Sequence, residues 1–477
     1  MNAPLWTADE IAAATGARLE GPFAAATGAS IDTRTLQAGD LFFAIRGEAR
    51  DGHDFVPNAI AKGAAAAVVA QERAAEFAGA GPLVVVSEPL EAMALLGRAA
   101  RARSAAQVVA VTGSVGKTGT KEALRLVLSR QGATHASVAS YNNHWGVPLT
   151  LARMPRESAF GVFEIGMNHA YEILPLTAMV RPHVALVTTV EPVHIEFFRS
   201  IWGIADAKAE IFAGLEAGGT AVINRDNPVF ERLRTHAQAS RAGRILTFGE
   251  HETADVRAER IILKPDLSVV EARVLGQPVT YRLGTPGRHI AMNSLGVLAV
   301  AHALGADLAV AALALADLRP PVGRGERTML TLGKGEALLI DESYNANPAS
   351  MTAALATLGS VELSRRGRRI AVLGDMKELG AEGPSLHRAL AEAVEANAID
   401  LVFAAGSLME NLVGALPKAR VAAHGATAAD LVNGICAAVH PGDAIMVKGS
   451  LSTGMGVIVK ALKERFSDVS QMQAMKG

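Results

Sequence analysis

A short glycine-rich segment, set between a run of β-formers and a helical pattern, constrains this chain more than any other feature. Val108 to Thr112 reads as a buried strand, Gly113-Ser114-Val115-Gly116-Lys117-Thr118 follows, and Thr118 to Arg130 reads as a helix. A phosphate-binding loop requires that order. Glycines let backbone N–H groups wrap an anion, and the helix N-terminus adds the positive end of its dipole. Lys117 can then reach the terminal phosphates, and the Thr118 hydroxyl can ligate Mg²⁺. The longer and commoner form of the loop needs glycine at 111, where Val111 stands, so this is the shorter G-x-x-G-K-T variant. The alternative is a plain glycine-rich turn, which the flanking strand and helix argue against.

The same alternation runs through the rest of the chain. From Gln107 the strand-like VVAVT, SAFGVFEIG, HVALVTTV and TAVIN alternate with helical stretches, the pattern of a parallel sheet with crossover helices. ALLIDES, RIAVLGD, LVFAAG and AIMVKGS repeat it in the last third. Between them LRPPVGRG, from Leu318 to Gly325, carries two prolines and two glycines and cannot continue a helix. Before Gln107, the basic run Arg98 to Ser104 closes a region of short mixed segments and Ala-rich helices. These breaks predict an α/β protein of three domains, 1–104, 105–318 and 319–477, as a length of 477 residues suggests at roughly 150 per domain.

Composition narrows the function classes. Lys plus Arg number 46 against 47 for Asp plus Glu, which excludes a strongly basic nucleic-acid binder. The most apolar stretch, Ala291 to Ala316, is interrupted by Asn293, His302 and Asp307, so no membrane span is expected. Thr7 and Glu10 have capping-box spacing, which assigns the first helix to the mature protein. Cys436 is the only cysteine, cannot form an intramolecular disulfide, and reads as packed. The expectation is a soluble, cytoplasmic protein.

In open α/β sheets the ligand sits beyond the carboxyl ends of the strands. Here those ends are polar or glycine-rich: TGSVGKT, EIGMNH, TTVEPVH, DESYNANP, GDMKELG and KGS. Two such domains with these edges facing would form a cleft. Glu164, at the end of AFGVFEIG, could hold Mg²⁺ with Thr118 and phosphate oxygens, or could simply be a solvated strand-end carboxylate. His194 follows HVALVTTV in the equivalent position. On its pattern alone Lys208, in ADAKAEIF, is a solvated helix lysine.

TGSVGKT, YNNHWGVPLTL, FEIGMNH, the His194 segment with AKAEIF, GRHIAMN, PPVGRGER, DESYNANP, GDMKELG and VKGS occur in the order that resembles the Mur ligases. SIDTRTLQAGDLFFAIRGEARDGHDF is similar to that family's uridine-nucleotide-binding domain. The likeness covers nearly the whole chain. It implies an N-terminal domain for a UDP-sugar, a central P-loop ATPase domain and a C-terminal Rossmann-like domain that closes over the nucleotide. Within the family, YNN-x-x-GVPLTL together with DESYNANP and GDM-x-ELG implies a member that adds D-alanyl-D-alanine to UDP-N-acetylmuramoyl-tripeptide. ATP would phosphorylate the tripeptide carboxylate, the dipeptide amine would attack the acyl phosphate, and the product would be a peptidoglycan precursor.

The resemblance also assigns roles. Gly113, Ser114, Val115, Gly116, Lys117 and Thr118 hold ATP; Asn293 lies near adenine, Arg324 reaches the γ-phosphate from the hinge, and Asp341 lies near the ribose. Lys117, Glu164, His194, Lys208 and Arg324 form the catalytic set. Thr118 and Glu164 serve one Mg²⁺, and His194 with a carbamylated Lys208 supports a second. Asp32, Arg34, Asn142, Asn143, Tyr344, Asn345 and Asn347 fall in the substrate-side motifs. A monomer is expected. Three positions depart from the pattern: Ile290 replaces a common Asn, Glu342 a frequent Asp, and Leu451 an Arg often found after KGS. Two alternatives stay open: another ATP-dependent Mur-type amino acid ligase, and a catalytically silent nucleotide-gated binding protein.

Overall fold

Runs of Val, Ile, Leu and Ala become the buried strands of three main sheets in a computed structural model that describes residues 4–47, 50–138, 140–192, 198 and 200–466. The middle sheet has nine strands. Their spatial order is Gln277–Leu283, Ser268–Val274, Val256–Leu263, Arg244–Gly249, Thr220–Asn224, Val184–Val187, Gln107–Thr112, Phe160–Glu164 and Thr134–Ala136. Pairing is parallel from the last of these through to Val256, and antiparallel among the first three.

Alternate residues of a parallel strand feed opposite faces, and helices cover both. Val108 and Ala110 of Gln107–Thr112 therefore join one apolar cluster with Phe163 and Ile173, while Val109 and Val111 join another with Leu124, Leu186 and Leu295. The antiparallel extension differs from the all-parallel expectation, and its cause is visible in Ser268–Val274. There burial alternates strictly, with Val270, Ala272 and Val274 packed into the same cluster as Leu295 of the helix Arg288–Ala303, and the intervening residues partly solvated.

The C-terminal sheet orders Glu326–Leu332, Gly335–Glu342, Ala444–Lys448, Arg369–Gly374, Leu401–Ala405 and Val421–Gly425; its first two strands form a hairpin and the others are parallel. The N-terminal region has a five-stranded sheet, Arg18–Glu20, Leu83–Val86, Ala66–Ala70, Asp40–Phe43 and Gly28–Ser30, beside a two-stranded one. Its first helix, Ala8–Thr15, carries the reciprocal Thr7–Glu10 capping box.

Several side chains tie the N-terminal region to the helices beside the middle sheet, Trp6, Arg101 and Arg153 among them. Trp6 Nε1 donates to the Ala152 carbonyl at 2.8 Å, and Arg101, buried in the helix Pro89–Arg103, donates to the carbonyls of Val180 and Arg181 at 2.8 Å each. The latter satisfies carbonyls at the end of the helix Ile173–Val180 that have no partner within the helix. No helix among the described residues is long and apolar enough to cross a membrane, and Cys436 is buried.

Candidate active site

The glycine-rich segment sits at the carboxyl end of Gln107–Thr112, and the helix it opens runs from Lys117 to Ser129. Gly116 caps that helix at φ 88°, in the left-handed region, and a Cβ there would collide with the Asn293 amide. The position therefore needs glycine twice over. Thr188 Oγ1 donates to the Val115 carbonyl at 2.6 Å, and Ser114 Oγ lies 2.9 Å from both the carbonyl and the N–H of Glu191, so the next strand end props the loop open. Lys117 Nζ donates to the Gly113 carbonyl at 2.7 Å. Burial in the cleft holds Lys117 below the usual lysine range; Glu164 opposes that shift and Arg324 reinforces it.

Glu164 ends its strand 1% exposed and accepts the Asn142 amide on Oε1 at 2.8 Å. Its Oε2 is buried without a hydrogen-bond partner among the described residues. An orphaned carboxylate oxygen is costly unless something cationic meets it. Glu164 lines the same cleft as Thr118 and the phosphate loop, and a hard divalent cation with oxygen ligands suits that arrangement. Lys208, on the helix Ile201–Ala209, is 2% exposed, and burial, with Lys117 nearby, holds its amine well below the ordinary lysine range. His194 lies outside the described residues.

The cleft encloses about 490 Å³, and its opposite wall comes from the hinge and the C-terminal sheet edge. Arg324 stands between Gly323 (φ 72°) and Gly325 (φ 96°). Its guanidinium lies 4.3 Å from the Tyr344 ring centroid and donates to Ser140 Oγ at 3.2 Å; Ser140 Oγ is also 3.2 Å from Thr118 Oγ1. A chain of short contacts thus runs from the phosphate loop to the segment Tyr344–Asn347.

Lys448 Nζ, buried at the end of its strand, donates to Glu342 Oε2 at 3.2 Å and to the Asn345 carbonyl at 2.9 Å. Register explains the pair, because Glu342 and Lys448 are direct neighbours on adjacent parallel strands. Asn347 lines the cleft and also caps the helix Pro348–Gly359 through a capping box with Ser350.

Of the residues singled out from sequence, Ser114 to Thr118, Asn142, Glu164, Asn293, Arg324, Tyr344, Asn345 and Asn347 line this one cleft. Four others do not. Asp341 accepts both the N–H and the hydroxyl of Ser343, at 3.0 and 2.6 Å, and lines an adjoining cavity. Asn143 Oδ1 accepts the N–H groups of Trp145 and Gly146 and starts the helix Gly146–Ala152. Asp32 and Arg34 form an exposed bidentate pair in the N-terminal region, and that pairing lowers the Asp32 carboxyl. Sequence reasoning assigned no role to Ser140, Glu191, His289, Glu342 or Lys448, all of which line the cleft. Glu191, Glu342 and Lys448 sat inside quoted strand-end segments, which was the available signal; Ser140 had none.

Three family models match the chain in order: "Mur ligase family, catalytic domain" over residues 26–103, "Mur ligase middle domain" over 111–301, and "Mur ligase, glutamate ligase domain" over 326–451. A relative from Escherichia coli (strain K12), named UDP-N-acetylmuramoyl-tripeptide--D-alanyl-D-alanine ligase, is 35% identical over 435 residues, 91% of this chain and 93% of that protein. A Bacillus subtilis (strain 168) relative of the same name is 31% identical over 441 residues, 92% and 93% of the two chains. Among solved structures, MurF from Acinetobacter baumannii superposes with a TM-score of 0.83 at 29% identity, over 97% of this chain and 99% of that one. MurF ligase from Thermotoga maritima, in complex with ADP, gives 0.73 at 25% identity, over 92% and 98%.

Proposed function

The chain belongs to the Mur ligase family, and from that premise we propose that it joins D-alanyl-D-alanine to UDP-N-acetylmuramoyl-tripeptide at the expense of ATP. One observation carries the reading. Lys117, Thr118 and Glu164, on the edge of one sheet, share a single cleft with Arg324, Tyr344 and Asn345 of the hinge and second sheet. A two-substrate ligase needs that geometry: a phosphate site on one wall and an acceptor site on the other.

A carboxylate is a poor electrophile because oxide would have to leave. One tripeptide carboxylate oxygen attacks the γ-phosphorus, the bond to the β-phosphate oxygen breaks, and ADP departs. The amine then attacks the acyl carbon, and inorganic phosphate leaves as the amide forms. Bringing carboxylate and γ-phosphate together demands positive charge, and in phosphoryl transfer positioning and electrostatic stabilisation do most of the work. The loop N–H groups from Gly113 to Thr118 cradle the phosphates, and Lys117 turns from the Gly113 carbonyl toward them. Thr118 and Glu164 would hold Mg²⁺, which supplies neutralisation of phosphate charge. Arg324 moves with the glycine hinge to exclude water from the acyl phosphate. Asn293 takes the adenine side of the loop and Tyr344 to Asn347 the acceptor side. Asp32 and Arg34 serve the uridine nucleotide, and Lys208, as a carbamate, would join His194 in supporting a second cation. The proposed nucleotide-sugar and ATP substrates favour a cytoplasmic enzyme.

The test is phosphate release from MgATP with UDP-N-acetylmuramoyl-tripeptide, with and without D-alanyl-D-alanine, following the nucleotide product by mass. Release that needs both substrates, with a product heavier by one dipeptide less water, is the expected result. Release with a different amine would change the acceptor, and nucleotide binding without turnover would overturn the enzymatic reading.

A further inference from the structure

Resting on that ligase reading, we propose that Glu342 is the acceptor-side carboxylate: it binds the ammonium group of the incoming dipeptide and takes one of its protons as the amine attacks. At neutral pH an α-amino group with an ordinary pKa near 8 is mostly protonated, and a protonated amine has no lone pair to attack with. The cleft must therefore hold an anion where the acceptor nitrogen arrives. Among the described residues three carboxylates line it: Glu164, Glu191 and Glu342. Glu164 is tied to Asn142 at the phosphate end, and Glu191 stands behind the phosphate loop against Ser114 and Thr189. Only Glu342 belongs to the C-terminal sheet edge, beside Tyr344 and Asn345.

The setting suits docking. Lys448 grips Oε2, and the same ammonium holds the Asn345 carbonyl, so one buried cation fixes both the carboxylate and the backbone next to it. No protein hydrogen bond to Oε1 exists among the described residues; that oxygen lies toward Gly325 of the hinge, 3.3 Å from where a Cβ would stand. Lys448 pairs with the carboxylate, and His289 lies within electrostatic reach of both. A carboxylate with one oxygen clamped and one open presents a single directed acceptor to an ammonium donor.

The proton balance closes. The ammonium gives one proton to Glu342; the amine nitrogen bonds to the acyl carbon as the carbon–oxygen bond to phosphate breaks. The second nitrogen proton goes to the departing phosphate, and Glu342 returns the first to solvent.

Hydroxylamine separates this step from the phosphorylation before it, because it is largely unprotonated at neutral pH and traps an acyl phosphate as a hydroxamate without ammonium docking. With Glu342→Gln we expect dipeptide transfer to fall at least ten-fold in kcat/KM for the dipeptide, while hydroxamate formation keeps half or more of the wild-type rate. Glu342→Asp should recover part of the transfer. Equal loss of both reactions, or a Gln variant with unaltered dipeptide kinetics, would overturn the proposal. A wild-type enzyme giving neither hydroxamate nor dipeptide product would instead overturn the ligase reading itself.

Discussion

Asn142 donates its side-chain amide to Glu164 Oε1 at 2.8 Å and leaves Oε2 of the same carboxylate buried and without a partner among the described residues. The asparagine orients the carboxylate without saturating it, as residues behind metal ligands do. Asn142→Ala should weaken Mg²⁺-dependent nucleotide binding by about ten- to a hundred-fold, the usual effect of losing such a partner. Titrating Mg²⁺ into protein with ADP, read by calorimetry, checks this. An unchanged midpoint would mean that Glu164 needs no positioning from Asn142.

Gly116 has two reasons to be glycine, its φ of 88° and the Asn293 amide in the space of a Cβ. Gly116→Ala should cost about 1–3 kcal/mol of stability from backbone strain alone, seen in denaturant unfolding. It should also weaken ADP binding, because relieving the collision displaces either the loop or Asn293. Gly119, on the same helix, has open space around its Cβ position, so Gly119→Ala is the control that should leave stability unharmed or improved.

Arg324 is held from two sides, by the Tyr344 ring and by Ser140 Oγ. A cation–π contact in a partly open cleft contributes about 0.5–1 kcal/mol. Tyr344→Ala should therefore raise KM for ATP by roughly two- to five-fold, while Tyr344→Phe, which keeps the ring, should stay within about two-fold. If the phenylalanine variant failed as badly as the alanine, the hydroxyl and not the ring would be the operative group.

These couplings mark how far the sequence could be read. The phosphate loop was legible because its chemistry is local: a strand, two glycines, a lysine and a threonine in consecutive positions. Glu164 and the DESYNANP segment were legible because strand ends in parallel sheets point to one edge. The antiparallel strands Ser268–Val274 and Gln277–Leu283 were not foreseen, since they complete the middle sheet only through pairing with Val256–Leu263. Ser140 and Lys448 gain their positions from register and hinge geometry across the cleft, which no local pattern encodes. Asn143 shows the reverse. It neighbours Asn142 in the motif, yet it starts a helix while Asn142 faces the carboxylate.

Two lysines whose amines are lowered, Lys117 in the cleft and Lys208 in the core, govern different quantities as pH changes. Lys117 has its amine lowered by burial, and only the protonated form attracts phosphate. ADP affinity should therefore begin to fall as pH rises through a value below the ordinary lysine pKa of about 10.4. Lys208 is lowered further, so between its depressed value and the ordinary one the unfolded chain binds more protons than the folded one. Ligand-free stability should then rise with pH across that window. Denaturant midpoints measured from pH 7 upward in wild type and Lys208→Met check this, with a smaller rise expected in the variant.

The same depressed lysine bears on the carbamate. A neutral amine adds carbon dioxide and an ammonium does not, so the burial that lowers the Lys208 amine also favours the form that would react under the proposed carbamylation. A carbamate there would lie within electrostatic reach of Lys117 on the phosphate loop. Lys208→Ala would remove both the amine and the anion while leaving a small buried space. If the carbamate serves as a carboxylate, formate or acetate at high millimolar concentration should restore part of the lost ligase activity, and chloride at equal ionic strength should not. Full activity of Lys208→Ala without any added acid would remove the carbamate from the mechanism.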